Sequence, residues 1–139
     1  MRTQIFLADF SNLHQMREFV AQAARDAGFD EQEIYAVKLA TDEAASNIIE
    51  HAYKEQQGGQ IEITCQVHSD GLAVILHDHG LSFNPQRVRK PNLRAKLSRR
   101  SIGGLGLYII YQLMDEVRYQ SDPETGNVLT LFKRKRGDE

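Results

Sequence analysis

Hydrophobic positions along the chain recur with two periods, one typical of helices and one typical of strands. Residues 12–27 carry apolar side chains at helical spacing, and Gly28 follows where a left-handed residue usually ends a helix. A second helical stretch begins after Asp30, which forms a capping-box sequence with Glu33. This pattern predicts two amphipathic helices, the second of which runs to about Tyr53.

Period-two alternation predicts the strands. A short apolar run at 3–8 is compatible with a strand, and the runs 60–68 and 72–77 flank Asp70-Gly71, a dipeptide typical of hairpins. Two further strands are expected at 116–120 and 127–133, after a third helix that begins near Gly103. This order predicts an α/β two-layer sandwich in which three helices cover one face of a mixed sheet of four or five strands.

Composition fits one soluble domain that spans residues 1–139. Hydrophobic residues make up 41% of the chain and the net charge is −2, so no global charge favours nucleic acid or a membrane. Cys65, the only cysteine, lies in an alternating strand and is interpreted as a small core residue rather than a reactive thiol. Because no long apolar run is present, we expect a cytoplasmic protein.

Glu43, Asn47 and His51 are spaced four residues apart on the second predicted helix. This spacing places them along one side of the helix. A charged helix side is often only solvated, but these residue types also suit chemistry. A glutamate can deprotonate an attacking hydroxyl, and an asparagine oxygen can bind Mg²⁺.

Asp78-His79-Gly80 directly follows an apolar strand. The simplest interpretation is a turn that ends the strand. Alternatively, the Asp78 carboxylate accepts a hydrogen bond from the exocyclic amine of adenine, and Gly80 lets the backbone approach the base.

Gly103, Gly104 and Gly106 stand at the start of the third predicted helix, with Leu105 between them. Free amides at a helix start favour phosphate. The cluster lacks the Lys-Ser/Thr of a P-loop, so the glycines alone do not identify the type of phosphate site.

Residues 80–102 form a long predicted loop with many basic side chains. Such a loop can be a lid over phosphates, a partner surface, a nucleic-acid surface or a solvated segment. The basic residues are Arg87, Arg89, Lys90, Arg94, Lys96, Arg99 and Arg100.

Taken together, these elements resemble one superfamily. Residues 39–53 resemble the asparagine-bearing helix of the histidine-kinase-like (GHKL) ATPases, residues 78–85 their first glycine box and residues 103–110 their second. The chain length, the ending from Asn47 to Tyr53 and the segment 112–117 are most similar to the anti-sigma factor serine/threonine kinases.

The resemblance implies the Bergerat fold and a site for ATP and Mg²⁺. It implies that Glu43 is the general base and that Asn47 binds the metal. The other residues implied to hold the nucleotide are Asp78, Gly80, Arg100, Gly103, Gly104, Leu105, Gly106 and Thr130. Ser82 stands where relatives often have a second glycine, and Arg100 is the nearest candidate for an arginine common near the second box.

The resemblance also implies a function and partners. We expect a kinase that phosphorylates a serine of an anti-anti-sigma protein and sequesters a sigma factor, as a homodimer. Two alternatives stay open, a partner-switch protein that binds ATP without catalysis and a nucleic-acid-binding module.

Overall fold

A computed structural model describes residues 1–53, 58–81 and 104–136 of the chain. This part contains five strands: β1 (Arg2–Leu7), β2 (Gln60–His68), β3 (Gly71–Asp78), β4 (Glu116–Asp122) and β5 (Gly126–Arg134). Its helices are α1 (Leu13–Asp26), α2 (Glu31–Asn47) and α3 (Gly104–Leu113). A 3-10 turn precedes α1 at Phe10–Asn12, and a π turn at Ile48–Ala52 continues α2.

The five strands form one sheet in the order β1-β2-β3-β5-β4. Every neighbouring pair is antiparallel, so the expectation of a mixed sheet is wrong. The reason is the position of β5. Strands β3 and β4 run in the same direction, as expected for strands joined through a helix, but β5 lies between them and pairs with both.

The helix ends confirm the predicted signals. Gly28 follows α1 with a φ of 87°, in the region that glycine adopts at little cost. At the start of α2, the Asp30 carboxylate accepts from the Glu33 amide at 2.7 Å, and the Glu33 carboxylate accepts from the Asp30 amide at 2.8 Å. Among the described helices, none has the length and apolar character needed to cross a membrane.

The hydrophobic core lies between the three helices and one face of the sheet. Helix residues such as Val20, Val37 and Ile110 belong to the same buried cluster as Val74 and Leu131 of the central strands. This arrangement confirms the predicted two layers. Cys65 belongs to the same cluster, and burial raises the pKa of its thiol to about 12.

The C-terminal end of the described chain is hydrogen-bonded to residues at the start of α2 and just before it. The Arg136 amide donates to the Glu33 carboxylate at 2.8 Å, and the Lys135 ammonium donates to the Ala27 carbonyl at 3.2 Å. Glu33 is buried, and its carboxylate links the helix cap to the segment that follows β5.

Candidate functional site

The Asp78 carboxylate occupies the end of β3 on the face that the helices cover. It alternates with Leu72, Val74 and Leu76 along the strand, and all four side chains are buried. The backbone amide of Gly80 donates to Asp78 Oδ1 at 2.9 Å. Asp78 therefore carries a carboxylate at a fixed position within a largely apolar layer.

Burial raises the pKa of Asp78, while hydrogen bonds from Asn127 and the Gly80 amide oppose this shift. The net direction is upward, because removal from water disfavours the charged form. An ionised Asp78 can only accept hydrogen bonds, and a ligand that supplies a further donor would stabilise its charge.

Gly80 packs directly against the end of the π turn that follows α2. A Cβ atom at this position would lie 2.3 Å from the Ala52 carbonyl oxygen and 2.8 Å from the Ala52 Cβ atom. The next amide, that of Leu81, donates to the same Ala52 carbonyl at 2.7 Å. The structure thus brings the Asp78 turn against the C-terminal end of the predicted motif helix.

Tyr53 makes a second connection between these two elements. Its hydroxyl donates to the Gln60 carbonyl at 2.7 Å and accepts from the His79 amide at 2.8 Å. The ring covers Gly59, where a Cβ atom would lie 2.6 Å from Tyr53 Cδ1. This connecting role of Tyr53 depends on contacts with Gln60 and His79 that its place at the end of the motif did not predict.

Glu43 and Asn47 lie one turn apart on α2, as their spacing predicts. Asn47 is only 8% exposed, and its side-chain amide makes no hydrogen bond to another described residue. Glu43 is half-buried and likewise has no hydrogen-bond donor in the described ranges. Both side chains therefore retain polar atoms for a ligand.

His51 follows within the π turn, which often occurs at functional sites. Its Nε2 atom lies 3.6 Å from a carboxylate oxygen of Glu50 and has no hydrogen bond within the described residues. The row of Glu43, Asn47 and His51 thus continues past the end of the regular helix.

Burial is the main cause that raises the pKa of Glu43, and the neighbouring carboxylates Asp42 and Glu50 add to it. Asp42 is itself paired with Arg17 of α1, at 2.6 Å between Nη1 and Oδ1. A raised pKa moves a carboxylate toward the range in which it works as a general base near neutral pH.

Asn127 joins the site and was missed by sequence analysis. It lies directly opposite Asp78 in the register of β3 and β5, and its amide donates to Asp78 Oδ1 and to the Gly80 carbonyl, both at 2.9 Å. The alternation of residues along β5 could have indicated this position, because Asn127 shares its strand face with the buried Leu129 and Leu131.

Thr130 does not join the site, and its predicted place beside the adenine is corrected. It is paired with Ile75 in the register, and on β5 it alternates with the buried Leu129 and Leu131. A strand places successive side chains on opposite faces. Thr130 therefore points to the sheet face opposite Asp78.

The second glycine box lies only partly within the described residues. Helix α3 begins at Gly104 and continues through Leu105 and Gly106, and it packs against α2. Gly103, Arg100 and the predicted lid from Ser82 onward lie outside the described residues.

Asn47 suits a magnesium ion. Its unpaired, nearly buried amide offers a hard oxygen ligand, which Mg²⁺ prefers. Within the described ranges, no group of three or more His, Cys, Asp or Glu side chains could hold a metal ion. Mg²⁺ usually takes most of its ligands from phosphates and water and only one or two from the protein.

Comparison with known proteins decides the family. Residues 6–133 match the profile of the histidine kinase-like ATPase domain. The chain belongs to this family. Within it, the Bacillus subtilis protein named serine-protein kinase RsbW is 35% identical over 127 residues, which cover 88% of this chain and 78% of the relative. A Listeria innocua protein of the same name is 33% identical over 113 residues, covering 78% of this chain and 72% of the relative.

Solved structures support the same fold. The RsbU and RsbW domains of a Mycobacterium tuberculosis protein match with a TM-score of 0.64 and 17% identity, covering 99% of this chain and 34% of that one. The SiaB-SiaC complex from Pseudomonas aeruginosa matches with a TM-score of 0.59 and 14% identity, covering 94% and 89%. These structures support the fold, whereas the profile match and the curated relatives confirm the family and the similarity to its serine-kinase branch.

Proposed function

We propose that this histidine kinase-like ATPase is a Mg²⁺- and ATP-dependent protein serine kinase that acts as an anti-sigma regulator in the cytoplasm. One observation carries the proposal. The Asp78 turn packs through Gly80 and Leu81 against the end of the helix that bears Glu43 and Asn47. This packing supports a site in which Asp78 would read the adenine, Asn47 would bind the metal and Glu43 would be the general base.

The nucleotide would bind with its adenine at Asp78. The Asp78 carboxylate accepts a hydrogen bond from the exocyclic amine, and Gly80 supports it by packing its turn against Ala52. The amides at the start of α3, from Gly104 to Gly106, suit the phosphates because a helix start favours anions. Gly103 and Arg100 complete this proposed phosphate site.

Asn47 would hold the magnesium ion through its amide oxygen. The ion supplies charge neutralisation at the phosphates, which makes the γ-phosphoryl group easier to transfer. The role of Asn47 is to fix the distance between that charge and Glu43, one helical turn away.

Glu43 would accept the proton of the substrate serine. As the serine oxygen forms a bond to the γ-phosphorus, the bond from that phosphorus to the bridging oxygen breaks and ADP leaves with the electron pair. The proton moves to the Glu43 carboxylate, whose raised pKa suits this transfer.

The proposed protein partners follow the serine-kinase branch of the family. The kinase would phosphorylate an anti-anti-sigma protein and otherwise sequester a sigma factor. The main alternative is a partner-switch protein that binds ATP without transferring phosphate, and the unpaired Glu43 carboxylate favours the kinase over it.

We also propose a homodimer. Strand β1 stands at one edge of the sheet, and its Ile5 and Leu7 side chains are exposed. An exposed edge strand with apolar side chains is suited to contact with another chain. Light scattering at micromolar concentration should report twice the mass of one chain, and a monomer at every concentration would contradict the proposal.

The adenine assignment is tested by Asp78→Asn. The amide replaces an acceptor by a donor where the adenine amine needs an acceptor, so affinity for ATP and ADP should fall by a similar factor of about 10 to 100. Calorimetry with Mg²⁺ measures both. Asp70→Asn, in the turn between β2 and β3, is the matched control. Unchanged affinity in Asp78→Asn would refute the assignment.

Phosphoryl transfer is tested by Glu43→Ala and Asn47→Ala. Glu43→Ala should keep ATP affinity within a few-fold and lower transfer by roughly 10² to 10⁴, the usual span for a general base. Asn47→Ala should lower Mg²⁺-dependent nucleotide binding together with transfer. The assay is radiolabel transfer from ATP to a candidate anti-anti-sigma protein.

Glu31→Ala serves as the control, because Glu31 lies at the opposite end of the same helix. Wild-type protein that binds ATP and transfers nothing would favour the non-catalytic alternative. A Glu43→Ala variant that transfers at the wild-type rate would refute the role of Glu43.

A further inference from the structure

Three polar side chains form a row across three neighbouring strands at the edge of the site. Ser121 of β4, Asn127 of β5 and Asp78 of β3 are direct neighbours in the strand register. The Ser121 hydroxyl donates to Asn127 Oδ1 at 2.8 Å, and Asn127 Nδ2 donates to Asp78 Oδ1 at 2.9 Å. The row therefore has one direction, from hydroxyl to amide to carboxylate.

The Asn127 amide has little freedom to turn. Besides Asp78, its nitrogen donates to the Gly80 carbonyl at 2.9 Å, so both hydrogens have acceptors. Asn127 is 3% exposed, and a flip of the amide would place its oxygen against two other oxygens. The Asp78 and Gly80 oxygens therefore fix which way the amide faces, and the Ser121 hydroxyl donates to the amide oxygen that results.

This arrangement makes the two oxygens of Asp78 different. Oδ1 accepts from Asn127 and from the Gly80 amide. Among the described residues no donor reaches Oδ2. With Oδ1 held twice, rotation of the carboxylate would cost both bonds, so Oδ2 is the oxygen left for a ligand.

We propose that Asn127, whose amide oxygen accepts from Ser121, is a positioning residue that holds Asp78 through Oδ1, presents Oδ2 to the ligand, and so strengthens the preference for purines with an exocyclic amine. The inference rests on the proposed nucleotide site. A purine with a carbonyl at that position brings an acceptor against an acceptor and is rejected. A purine without any group there loses the hydrogen bond.

The test compares ATP, purine riboside triphosphate and ITP by calorimetry. Wild type should bind ATP about 10 to 100 times more tightly than purine riboside triphosphate, the range for a hydrogen bond to a charged group. Asn127→Leu should reduce this ratio to within a few-fold by weakening ATP binding, while the affinity for purine riboside triphosphate changes little. The affinity of this variant for ITP should rise relative to its affinity for ATP.

Because Asn127 is buried, a milder pair of variants accompanies it. Ser121→Ala removes the only described donor to the Asn127 amide oxygen and should lower the ATP preference by loosening the amide, whereas Ser121→Thr keeps a hydroxyl there and should retain the preference. Val128→Thr, on the neighbouring position and the opposite sheet face, should leave the ratio unchanged.

Two results would overturn the inference in distinguishable ways. An equal loss of affinity for all three nucleotides in Asn127→Leu, with wild-type ratios in Ser121→Ala, would make the row merely structural. Wild-type protein that binds none of the nucleotides would refute the proposed function, and this inference with it.

Discussion

Replacing Gly80 by alanine tests whether close packing of two motifs is what builds the site. The new Cβ atom would lie 2.3 Å from the Ala52 carbonyl oxygen, and it must retreat by at least about 0.7 Å to reach 3.0 Å, which is already a tight contact. The obstacle is backbone at the end of the motif helix, which cannot swing away as a flexible side chain can.

The strain should reach the nucleotide site because hydrogen bonds connect the Gly80 turn to Asp78, Asn127 and Ala52. Its amide holds Asp78 Oδ1, its carbonyl accepts from Asn127, and the following amide bonds the same Ala52 carbonyl. Forced separation lengthens these bonds together. We expect Gly80→Ala to lower the free energy of unfolding by about 1–3 kcal/mol, the usual cost of overpacking, and to lower ATP affinity by about 10-fold or more.

Gly58→Ala is the matched control. Gly58 has a φ of 84° with nothing within 4 Å of an added Cβ, so alanine there costs about 1–2 kcal/mol of backbone strain without touching the site. Urea unfolding measures stability, and calorimetry measures ATP binding. If Gly80→Ala matched wild type in both measurements, or if both variants lost ATP affinity equally, the reasoning would be refuted.

Three further results are expected. On acidification, ATP affinity should begin to fall at a pH above the range in which an ordinary aspartate is protonated. The reason is that the raised pKa of Asp78 lets this carboxylate take up a proton, and so lose its acceptor, at a higher pH. Calorimetry over a pH series measures the effect, and Asp78→Asn should abolish it. Cys65 should resist a thiol reagent at pH 8 in the folded protein and react once the chain is unfolded in urea, since burial raises its pKa to about 12; rapid labelling of the native protein would contradict its place in the core. Glu33→Ala should lower the free energy of unfolding by about 1–2 kcal/mol, because the carboxylate serves both the Asp30 cap and the Arg136 amide; a loss below about 0.5 kcal/mol would show that these bonds add little.

Local patterns in the sequence were enough to predict the elements. Helical periodicity and the Asp30–Glu33 capping box predicted α2, and the Asp70-Gly71 turn predicted the β2–β3 hairpin. These features depend on neighbours within a few residues, so a short stretch of sequence is enough to predict them. The same is true of the one-turn spacing between Glu43 and Asn47.

Register and strand order were decided only by the tertiary structure. Insertion of β5 between β3 and β4 turned an expected mixed sheet into an antiparallel one, and the pairing of Asp78 with Asn127 put Asn127 rather than Thr130 at the site. The physical reason is that alternation tells which residues of one strand share a face but not which residue of another strand lies opposite. That pairing depends on how the helices and the sheet fill the core together, which no short stretch of sequence contains.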